Sequence, residues 1–579
     1  MKSTADSRSS AVEVRRSESI CQQVETLSSR HFAWLAIALT VVAALLRVHD
    51  LGTQPVWLDE AFSALVIDRP SLLSVLSAES NPPLYFVLLK AFCSIFGDSP
   101  DALRALSSLF SVTAVTCVVF YAARAIGKRF AIGAGLFLAF SPYSLYYAQE
   151  ARPYSLLILL LLLTLLACHH ALRSRNRMAV IVFAGAVLAA GYTHYFTALA
   201  LLPVTLYLAY RFVQKADERP ILFSLFLALV VDAVACAAWA LPTLLRQSTL
   251  DPHLWIADQW QFVDKTWMLP RSVLVLLLGS AHGLTPLFMK QWTQLQQPAL
   301  LTIMGVGAYS LALVSAFVSD SGGGRESTSR GTGVLLIAAV LLPLIVLFAV
   351  SFIKPLYVVA RYDAIAFPYL VVLSGWIVDR SRHLPPWAMR VGFFFGAVFL
   401  SCLLYEDWLY YEVGPVSQDY DAARTATLLD HTARNGDAIV FAGMRGASVL
   451  YYLMRDGYHW DGRSCRAAER NVVYGCLILP YTDSDVPFAI GTPVTIPVTP
   501  DNAVADLESF VEKKVPTPAT IWWVTPRNRE RASTPINRHI QVLLNRKGYA
   551  LRSVSPELQR YDVQRYDASV EAEIDVRLR

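Results

Sequence analysis

Charged residues are scarce in this chain of 579 residues: Asp, Glu, Lys and Arg make up 16% of it, whereas 55% is hydrophobic. A soluble protein of ordinary composition carries about 25% charged residues. The net charge of +5 is small, so the composition gives no sign of a nucleic-acid partner and we expect none. The sequence therefore argues against an ordinary soluble protein.

Several other signatures are missing as well. The eight cysteines show no zinc-site spacing, and five of them lie in or beside apolar segments. Cys465 and Cys476 fall in the polar C-terminal part. They could form a disulfide or remain two free thiols, and the sequence favours neither alternative. No small-residue cleavage site follows the apolar segment 31–46, so we expect an uncleaved first span rather than a signal peptide.

The chain contains instead a series of apolar blocks, each near the length of a membrane span. A helix of about 20 residues crosses about 30 Å of hydrocarbon. The sequence predicts eleven spans, near 31–49, 102–124, 130–147, 154–172, 178–192, 196–213, 221–245, 298–318, 333–352, 363–379 and 389–405. The segment 271–289 is also apolar, but a twelfth span there would reverse the orientation of all later ones. We expect an interfacial or re-entrant helix in its place.

Basic clusters give the expected orientation, because Lys and Arg are enriched in cytoplasmic loops. Four clusters lie at 124–129, 173–177, 211–219 and 380–390. Placing them inside makes residues 1–30 a cytoplasmic tail and residues 31–405 the transmembrane domain. The acidic segment 51–101 is then a first periplasmic loop, with interfacial helices predicted at Ala61–Ile67 and Leu84–Phe96.

Residues 406–579 have the polar composition of a soluble domain and also fall outside in this topology. Strand patterns at Asp437–Ala442 and Thr520–Thr525 alternate with helix patterns at Tyr420–Arg434, Ala447–Arg455 and Pro535–Lys547. The expected fold class is thus a polytopic α-helical membrane protein with a C-terminal soluble α/β domain. This domain has no glycine-rich phosphate loop, which favours an accessory or acceptor-docking role.

Four polar groups fall at the outer ends of the predicted spans. They are Trp57–Ala61, Glu79–Tyr85, Tyr146–Tyr154 and Lys354–Tyr362. Each one alone has a purely structural reading, as a solvated helix start, a turn, a salt-bridged loop or an interfacial anchor. Together they offer a carboxylate that could accept a proton and cations that could hold a phosphate.

These are the two requirements for moving a sugar from a lipid phosphate to a hydroxyl. Asp59 suits the base, and Arg361 with Arg152 suits the phosphate clamp, because arginine grips phosphate through paired N–H donors. The second-rank cations at a similar depth are Lys354, Lys90 and Arg104.

The order of these groups resembles the glycosyltransferase C superfamily, in particular bacterial relatives of the protein O-mannosyltransferases and of the lipid A aminoarabinose transferase. The resemblance covers approximately residues 30–405. It rests on Asp59-Glu60, on Glu79 with Asn81-Pro82-Pro83-Leu84, on Gly97 with Arg104, on Gln149–Tyr154 and on Arg361-Tyr362. It implies a polyprenyl-phosphate donor, Asp59 as catalytic base supported by Glu60 and Glu79, and Arg361 with Tyr362 at the donor phosphate.

The resemblance also has departures. The mannosyltransferase pattern places a histidine before the two prolines, where this chain has Asn81, so the role of that histidine does not carry over. Some relatives use a divalent ion beside the catalytic acid. Here Glu79 could be a ligand of such an ion but no histidine partner is evident, so the sequence leaves metal dependence open. The candidates for contacts to the sugar or acceptor are Gln149, Glu150, Tyr154, Asn81, Tyr85 and His194.

The sequence therefore predicts an inverting glycosyltransferase of the bacterial inner membrane, with its active site and C-terminal domain in the periplasm. Its partners are a polyprenyl-phosphate sugar, membrane lipids, and a lipid, glycan or protein acceptor. The alternative is a transporter or flippase for a lipid-linked saccharide, favoured by the many spans and by the lone Asp232. A transporter should concentrate its charges near the middle of the membrane, whereas this chain has them at one predicted interface.

Overall fold

The computed structural model describes most of the chain up to residue 413 and shorter stretches beyond it. The described residues are 29–68, 72–73, 76, 82–250, 260, 264–279, 299–318, 326–413, 421–433, 437–442, 446–455, 458–460, 465–467, 475–479, 520–526, 542–547, 549–554 and 561–568. The chain divides into two compact units. The first comprises Met1–Leu51, Arg104–Ala237 and Val263–Gly414, and the second Gly52–Leu103, Ala238–Phe262 and Pro415–Arg579.

Helices dominate both units up to residue 413. In chain order they are α1 (Ser29–Val48), α2 (Leu58–Ile67), α3 (Leu84–Phe96), α4 (Pro100–Ala125), α5 (Lys128–Phe140), α6 (Pro142–Ala148), α7 (Tyr154–Ser174), α8 (Arg177–Gly191), α9 (Thr197–Gln214), α10 (Arg219–Leu250), α11 (Met268–Leu278), α12 (Ala299–Val318), α13 (Glu326–Val350), α14 (Phe367–Arg380) and α15 (Pro386–Val413). A short 3₁₀ helix, Tyr362–Ala366, leads directly into α14.

Eight helices in the described part of the chain are long and apolar enough to cross a membrane, and the bent pair α5 and α6 raises the number to nine. The helix α8 is shorter than a full span. Every predicted span falls on one helix or on two consecutive helices, so a multi-pass helical membrane protein is confirmed. The count of eleven crossings stays a prediction.

The predicted span 130–147 is two helices, α5 and α6, that meet at 59°. Pro142 occupies the first turn of α6, where its missing N–H costs no hydrogen bond. The Ser141 side chain caps α6 by accepting a bond from the Ser144 N–H at 3.4 Å. The sequence Ser-Pro therefore ends one helix and starts another, which an apolar-block reading of 130–147 does not reveal.

The break leaves the last carbonyls of α5 without partners inside the helix, and Arg47 at the end of α1 supplies donors to them. Its guanidinium donates to the oxygens of Leu138 and Ala139, both at 3.0 Å. It also donates to Ser111 Oγ at 2.7 Å and Ser144 Oγ at 3.1 Å. Arg47 is completely buried, so one side chain joins α1, α4, α5 and α6.

The last span of the first unit also contacts the end of α1. Arg47 interacts electrostatically with Asp407 of α15, which is also buried. The Tyr411 hydroxyl, one turn further along α15, donates to the Leu46 oxygen. The end of α1 is thus fixed against α15 as well as against the bent pair.

In the second unit, the C-terminal part forms a five-stranded mixed sheet. Its helices are α16 (Ala422–Thr432) and α17 (Gly446–Arg455). Its strands in the described residues are β1 (Ala438–Ala442), β2 (Tyr458–Trp460), β3 (Cys465–Ala467), β4 (Gly475–Leu479), β5 (Thr520–Pro526), β6 (Tyr549–Val554) and β7 (Tyr561–Ala568). The sheet order is β4-β1-β5-β7-β6, with β1 parallel to β4 and β5, and β2 and β3 form a separate hairpin. The pairing of Cys465 with Cys476 stays a prediction.

The helix α2 lies in the predicted first periplasmic loop. Two helices of the second unit, α17 and α3, hold its two ends. The Val56 N–H donates to the Tyr452 hydroxyl of α17 at 2.9 Å, just before α2 begins. At the other end, the Lys90 ammonium of α3 donates to the Ile67 oxygen at 2.7 Å. The rings of Phe62 and Phe86 pack edge to face at 6.4 Å.

We expect Arg47→Met to destabilise the first unit strongly, because it leaves two buried helix-terminal carbonyls without donors. Each buried acceptor left unsatisfied costs about 1–3 kcal/mol. The matched control is Arg175→Met, since the Arg175–Asp217 pair is exposed and such pairs contribute about 0–1 kcal/mol. Thermal unfolding in detergent checks both variants. Equal Tm losses would contradict the importance of the Arg47 network.

We expect Tyr452→Phe to loosen the entry to α2, because the Val56 N–H loses its acceptor at a cost of about 1–3 kcal/mol. Hydrogen exchange followed by mass spectrometry should show faster exchange at the Val56 amide. Tyr451→Phe is the control, since the Tyr451 hydroxyl donates to the Asp98 oxygen and leaves Val56 untouched. Unchanged exchange at Val56 in Tyr452→Phe would count against this bond.

Candidate functional site

The segment Gln149–Pro153 connects α6 to α7 and carries three of the predicted site residues. Two serines of α4 hold it: Ser108 Oγ donates to the Ala148 oxygen at 2.8 Å, and Ser107 Oγ donates to the Arg152 oxygen at 3.3 Å. Ser155 Oγ, at the start of α7, donates to the Tyr147 oxygen at 2.7 Å. These three hydrogen bonds fix the backbone at Arg152 and in the residues just before it.

An aromatic cluster brings this segment together with two distant parts of the first unit. The His194 ring lies 5.9 Å from the Tyr154 ring and 5.8 Å from the Tyr362 ring. Phe196 completes the cluster at 4.9 Å from Tyr362. Two of the four predicted polar groups, the one with Arg152 and the one with Arg361-Tyr362, thus meet around His194.

The environment keeps His194 neutral. Burial, together with the smaller effect of the positive charge of Arg152, lowers the pKa of its imidazole to about 4. The Nδ1 atom accepts the Phe196 N–H at 3.2 Å, so the neutral ring carries its hydrogen on Nε2. His194 can therefore present one N–H donor beside a guanidinium.

Arg361 follows a turn that the protein holds tightly. The residue before it, Ala360, has a left-handed backbone with φ of 69°. The Ala360 oxygen accepts the hydroxyls of Tyr143, at 3.2 Å, and Tyr147, both on α6. Burial lowers the pKa of the Arg361 guanidinium, and the neighbouring Tyr362 opposes this shift. Arginine remains charged in proteins, so a partly buried cation stands at this turn.

Two other predicted site residues of the first unit, Gln149 and Arg104, are hydrogen-bonded to backbone oxygens. The Gln149 amide donates to the oxygens of Arg47, at 3.2 Å, and His49, at 2.7 Å, and it accepts the Tyr410 hydroxyl at 2.9 Å. The Arg104 guanidinium donates to the Leu51 oxygen at 2.9 Å. Glu150 is buried and Lys354 is exposed. The roles proposed for these residues in substrate binding stay predictions.

In the second unit, Asp59 and Glu60 lie in the first turn of α2. The exposed N–H groups of a helix N-terminus stabilise negative charge there, so this is a favourable position for a carboxylate. Asp59 is partly accessible, whereas Glu60 and Tyr85 are buried. Glu79 and Asn81 lie outside the described residues. Within the described ranges, no three His, Cys, Asp or Glu side chains gather into a cluster that could hold a metal.

Sequence reasoning missed three residues that shape these surroundings: Tyr147, Asp363 and Tyr452. Asp363 follows Arg361-Tyr362 directly, and an acid at the start of an apolar span is a signal that could have been used. Tyr147 stands inside the Tyr146–Tyr154 group, but nothing in the sequence shows that its hydroxyl reaches residue 360. Tyr452 gives no sequence signal at all.

The chain was then compared with known proteins. Residues 80–241 match the family model of the dolichyl-phosphate-mannose-protein mannosyltransferases, a segment that includes Arg152 and excludes Asp59 and Arg361. A search of curated proteins gives no significant match.

Solved structures show a shared fold. ArnT from Cupriavidus metallidurans, bound to undecaprenyl phosphate, aligns with a TM-score of 0.55 at 14% identity, over 94% of this chain and 99% of that one. An oligosaccharyltransferase from Archaeoglobus fulgidus, tethered to an acceptor peptide, aligns at 0.46 and 12% identity, over 94% and 74%. Residues 80–241 are thus similar to the dolichyl-phosphate-mannose-protein mannosyltransferases, and the chain shares the fold of ArnT.

Proposed function

We propose that the protein is a membrane glycosyltransferase that moves a sugar from a polyprenyl-phosphate donor to an acceptor hydroxyl. The observation that carries the proposal is the cluster around His194. It joins the segment of Arg152 to the segment of Arg361, although more than 200 residues separate them in the sequence. Two arginine-bearing segments at a partly buried aromatic cluster suit a lipid-linked phosphate better than a freely soluble substrate.

Arg361 and Arg152 hold the donor phosphate in this proposal. Negative charge collects on the phosphate as the bond to the sugar breaks, and preorganised cations stabilise that charge most effectively where water is excluded. The Nε2–H of neutral His194 and the Tyr362 hydroxyl add uncharged donors. The ArnT structure contains undecaprenyl phosphate, and we infer a donor lipid of the same class for this chain.

Asp59 serves as the general base. It accepts the proton of the acceptor hydroxyl as that oxygen attacks the anomeric carbon, and the bonding pair of the departing C–O bond goes to the phosphate oxygen. A single displacement of this kind inverts the anomeric centre. Glu60, next to Asp59 in the first turn of α2, supports it. A positioned base typically contributes about 10²–10⁴-fold to the rate.

We place the reaction on the periplasmic side of a bacterial inner membrane, following the distribution of basic clusters in the sequence. The sugar is a hexose, a pentose or an amino sugar, and the acceptor is a lipid, a glycan or a protein. The part of the second unit that begins at Pro415 serves as an accessory or acceptor-docking domain.

We expect Asp59→Asn to abolish transfer, because an amide cannot accept the proton of the acceptor hydroxyl. The measurement is mass spectrometry of envelope lipids and glycans from cells that lack the protein, carry it, or carry the variant. The protein should add one sugar increment that Asp59→Asn does not restore. Asp68→Asn is the matched control, since Asp68 lies exposed at the other end of the same helix.

Two outcomes would contradict these assignments separately. Identical lipids and glycans with and without the protein would overturn the transferase proposal. A full sugar increment in cells carrying Asp59→Asn would leave the transferase intact and remove Asp59 as the base.

We expect His194 to make stability fall at acidic pH. In the unfolded chain its imidazole binds a proton below about pH 6.5, whereas in the folded protein it does so only near pH 4. Between these values the unfolded state binds more protons, so stability decreases as the pH is lowered. The Tm of the wild type should therefore drop relative to His194→Gln from pH 6.5 to 4, since glutamine does not titrate. A constant difference across that range would argue against a neutral, buried His194.

A further inference from the structure

The backbone just before Arg361 is in a conformation that alanine rarely adopts. Ala360 has φ of 69°, in the left-handed region where the β-carbon is crowded and which glycine enters freely. Such residues persist only where the surrounding structure holds them, and they cluster at functional sites. The turn at Ala360 is therefore maintained by contacts outside its own backbone.

Three side-chain hydrogen bonds supply those contacts. Asp363 Oδ2 accepts the Ala360 N–H at 2.8 Å, and the hydroxyls of Tyr143 and Tyr147 donate to the Ala360 oxygen. All three side chains are buried. Both backbone polar groups of Ala360 are thus bound by side chains, and neither is available to an ordinary helix or turn.

The same helix that binds the turn also leads to the other proposed phosphate ligand. Tyr143 and Tyr147 lie on α6, which ends at Ala148 and continues into the segment of Arg152. The backbone oxygen of Tyr147 is itself fixed by Ser155 Oγ. The backbone position next to Arg361 is therefore set by contacts with α6, and α6 ends four residues before Arg152.

We propose that Tyr147 and Asp363 are positioning residues that aim Arg361 at the donor phosphate by holding Ala360 in its left-handed conformation. This inference rests on the proposed function, because it assumes a phosphate at Arg361. If Ala360 relaxed to a common conformation, the chain direction at Arg361 would change and the planar guanidinium would lose its alignment with the phosphate oxygens.

Glycine at position 360 provides a direct test, because it adopts the left-handed conformation without help. The quantity to measure is the Kd of the purified protein for undecaprenyl phosphate. We expect Tyr147→Phe to weaken binding about tenfold, the effect of losing roughly one charge-assisted hydrogen bond. Ala360→Gly alone should bind like the wild type. Tyr147→Phe combined with Ala360→Gly should recover most of the lost affinity.

A double-mutant cycle with Arg361→Lys tests whether Tyr147 acts through Arg361. Lysine keeps the charge but cannot grip the phosphate with two parallel donors, so this variant should bind more weakly than the wild type. Adding Tyr147→Phe to it should weaken binding by less than about twofold, because residues that act as a unit are not additive.

Tyr369→Phe is the matched control for loss of a buried tyrosine hydroxyl. The Tyr369 hydroxyl, on α14, donates to the backbone oxygen of Ala200, so its loss removes the same kind of bond elsewhere in the first unit. We expect Tyr369→Phe to lower the Tm about as much as Tyr147→Phe does, but to leave the Kd for undecaprenyl phosphate unchanged.

The outcomes separate the two proposals. If the wild type does not bind undecaprenyl phosphate, the proposed function fails and this inference fails with it. If the wild type binds and Arg361→Lys weakens binding, the proposed function stands. The positioning role is then overturned by an unchanged Kd in Tyr147→Phe, by independent effects in the cycle, or by a failure of Ala360→Gly to rescue.

Discussion

The first unit depends on one requirement, that the helix ends created by the break at Ser141-Pro142 find hydrogen-bond partners inside an apolar bundle. Hydrocarbon offers no partners, so an unpaired carbonyl there costs several kcal/mol. Arg47 meets the requirement with several donors on one planar group, spread over two carbonyls of α5 and two serine hydroxyls. The direction of α6 follows from this, and with it the placement of Tyr143, Tyr147 and the Arg152 segment.

Much of the fold could be predicted because its signals are local. Apolar runs of span length predicted the described helices between residues 29 and 413 that cross or nearly cross a membrane. In the C-terminal part, strand patterns predicted β1 and β5, and a helix pattern predicted α17. The break in 130–147 was missed because its cause is a Ser-Pro step inside a run of unchanged hydropathy. The number of crossings could not be fixed, since α8 falls just below the length of a span and 130–147 forms a bent pair of helices.

The candidate site was predicted in its residue types more than in its arrangement. Arginine, acid and tyrosine in polar groups at span ends point to phosphate chemistry, and this interpretation proposed Arg152 and Arg361, with His194 as a separate candidate. The contacts that orient them depend on pairs such as Tyr147 with Ala360, separated by 213 residues. Such pairs leave no pattern in a single sequence, because only the packing of helices brings them together. The Gln149 amide likewise meets backbone oxygens that are distant in the sequence, and its role in substrate binding stays a prediction.

The bond between Val56 and Tyr452 bears on how this chain could diversify. The segment that carries Asp59 takes one of its anchors from a helix nearly 400 residues later in the sequence. Exchanging the C-terminal region between relatives, as in a chimera or after a gene fusion, would bring in a foreign surface against residues 56–67. The surroundings of the predicted base would then change together with the C-terminal region, so the two regions should evolve by coordinated change rather than by swapping modules.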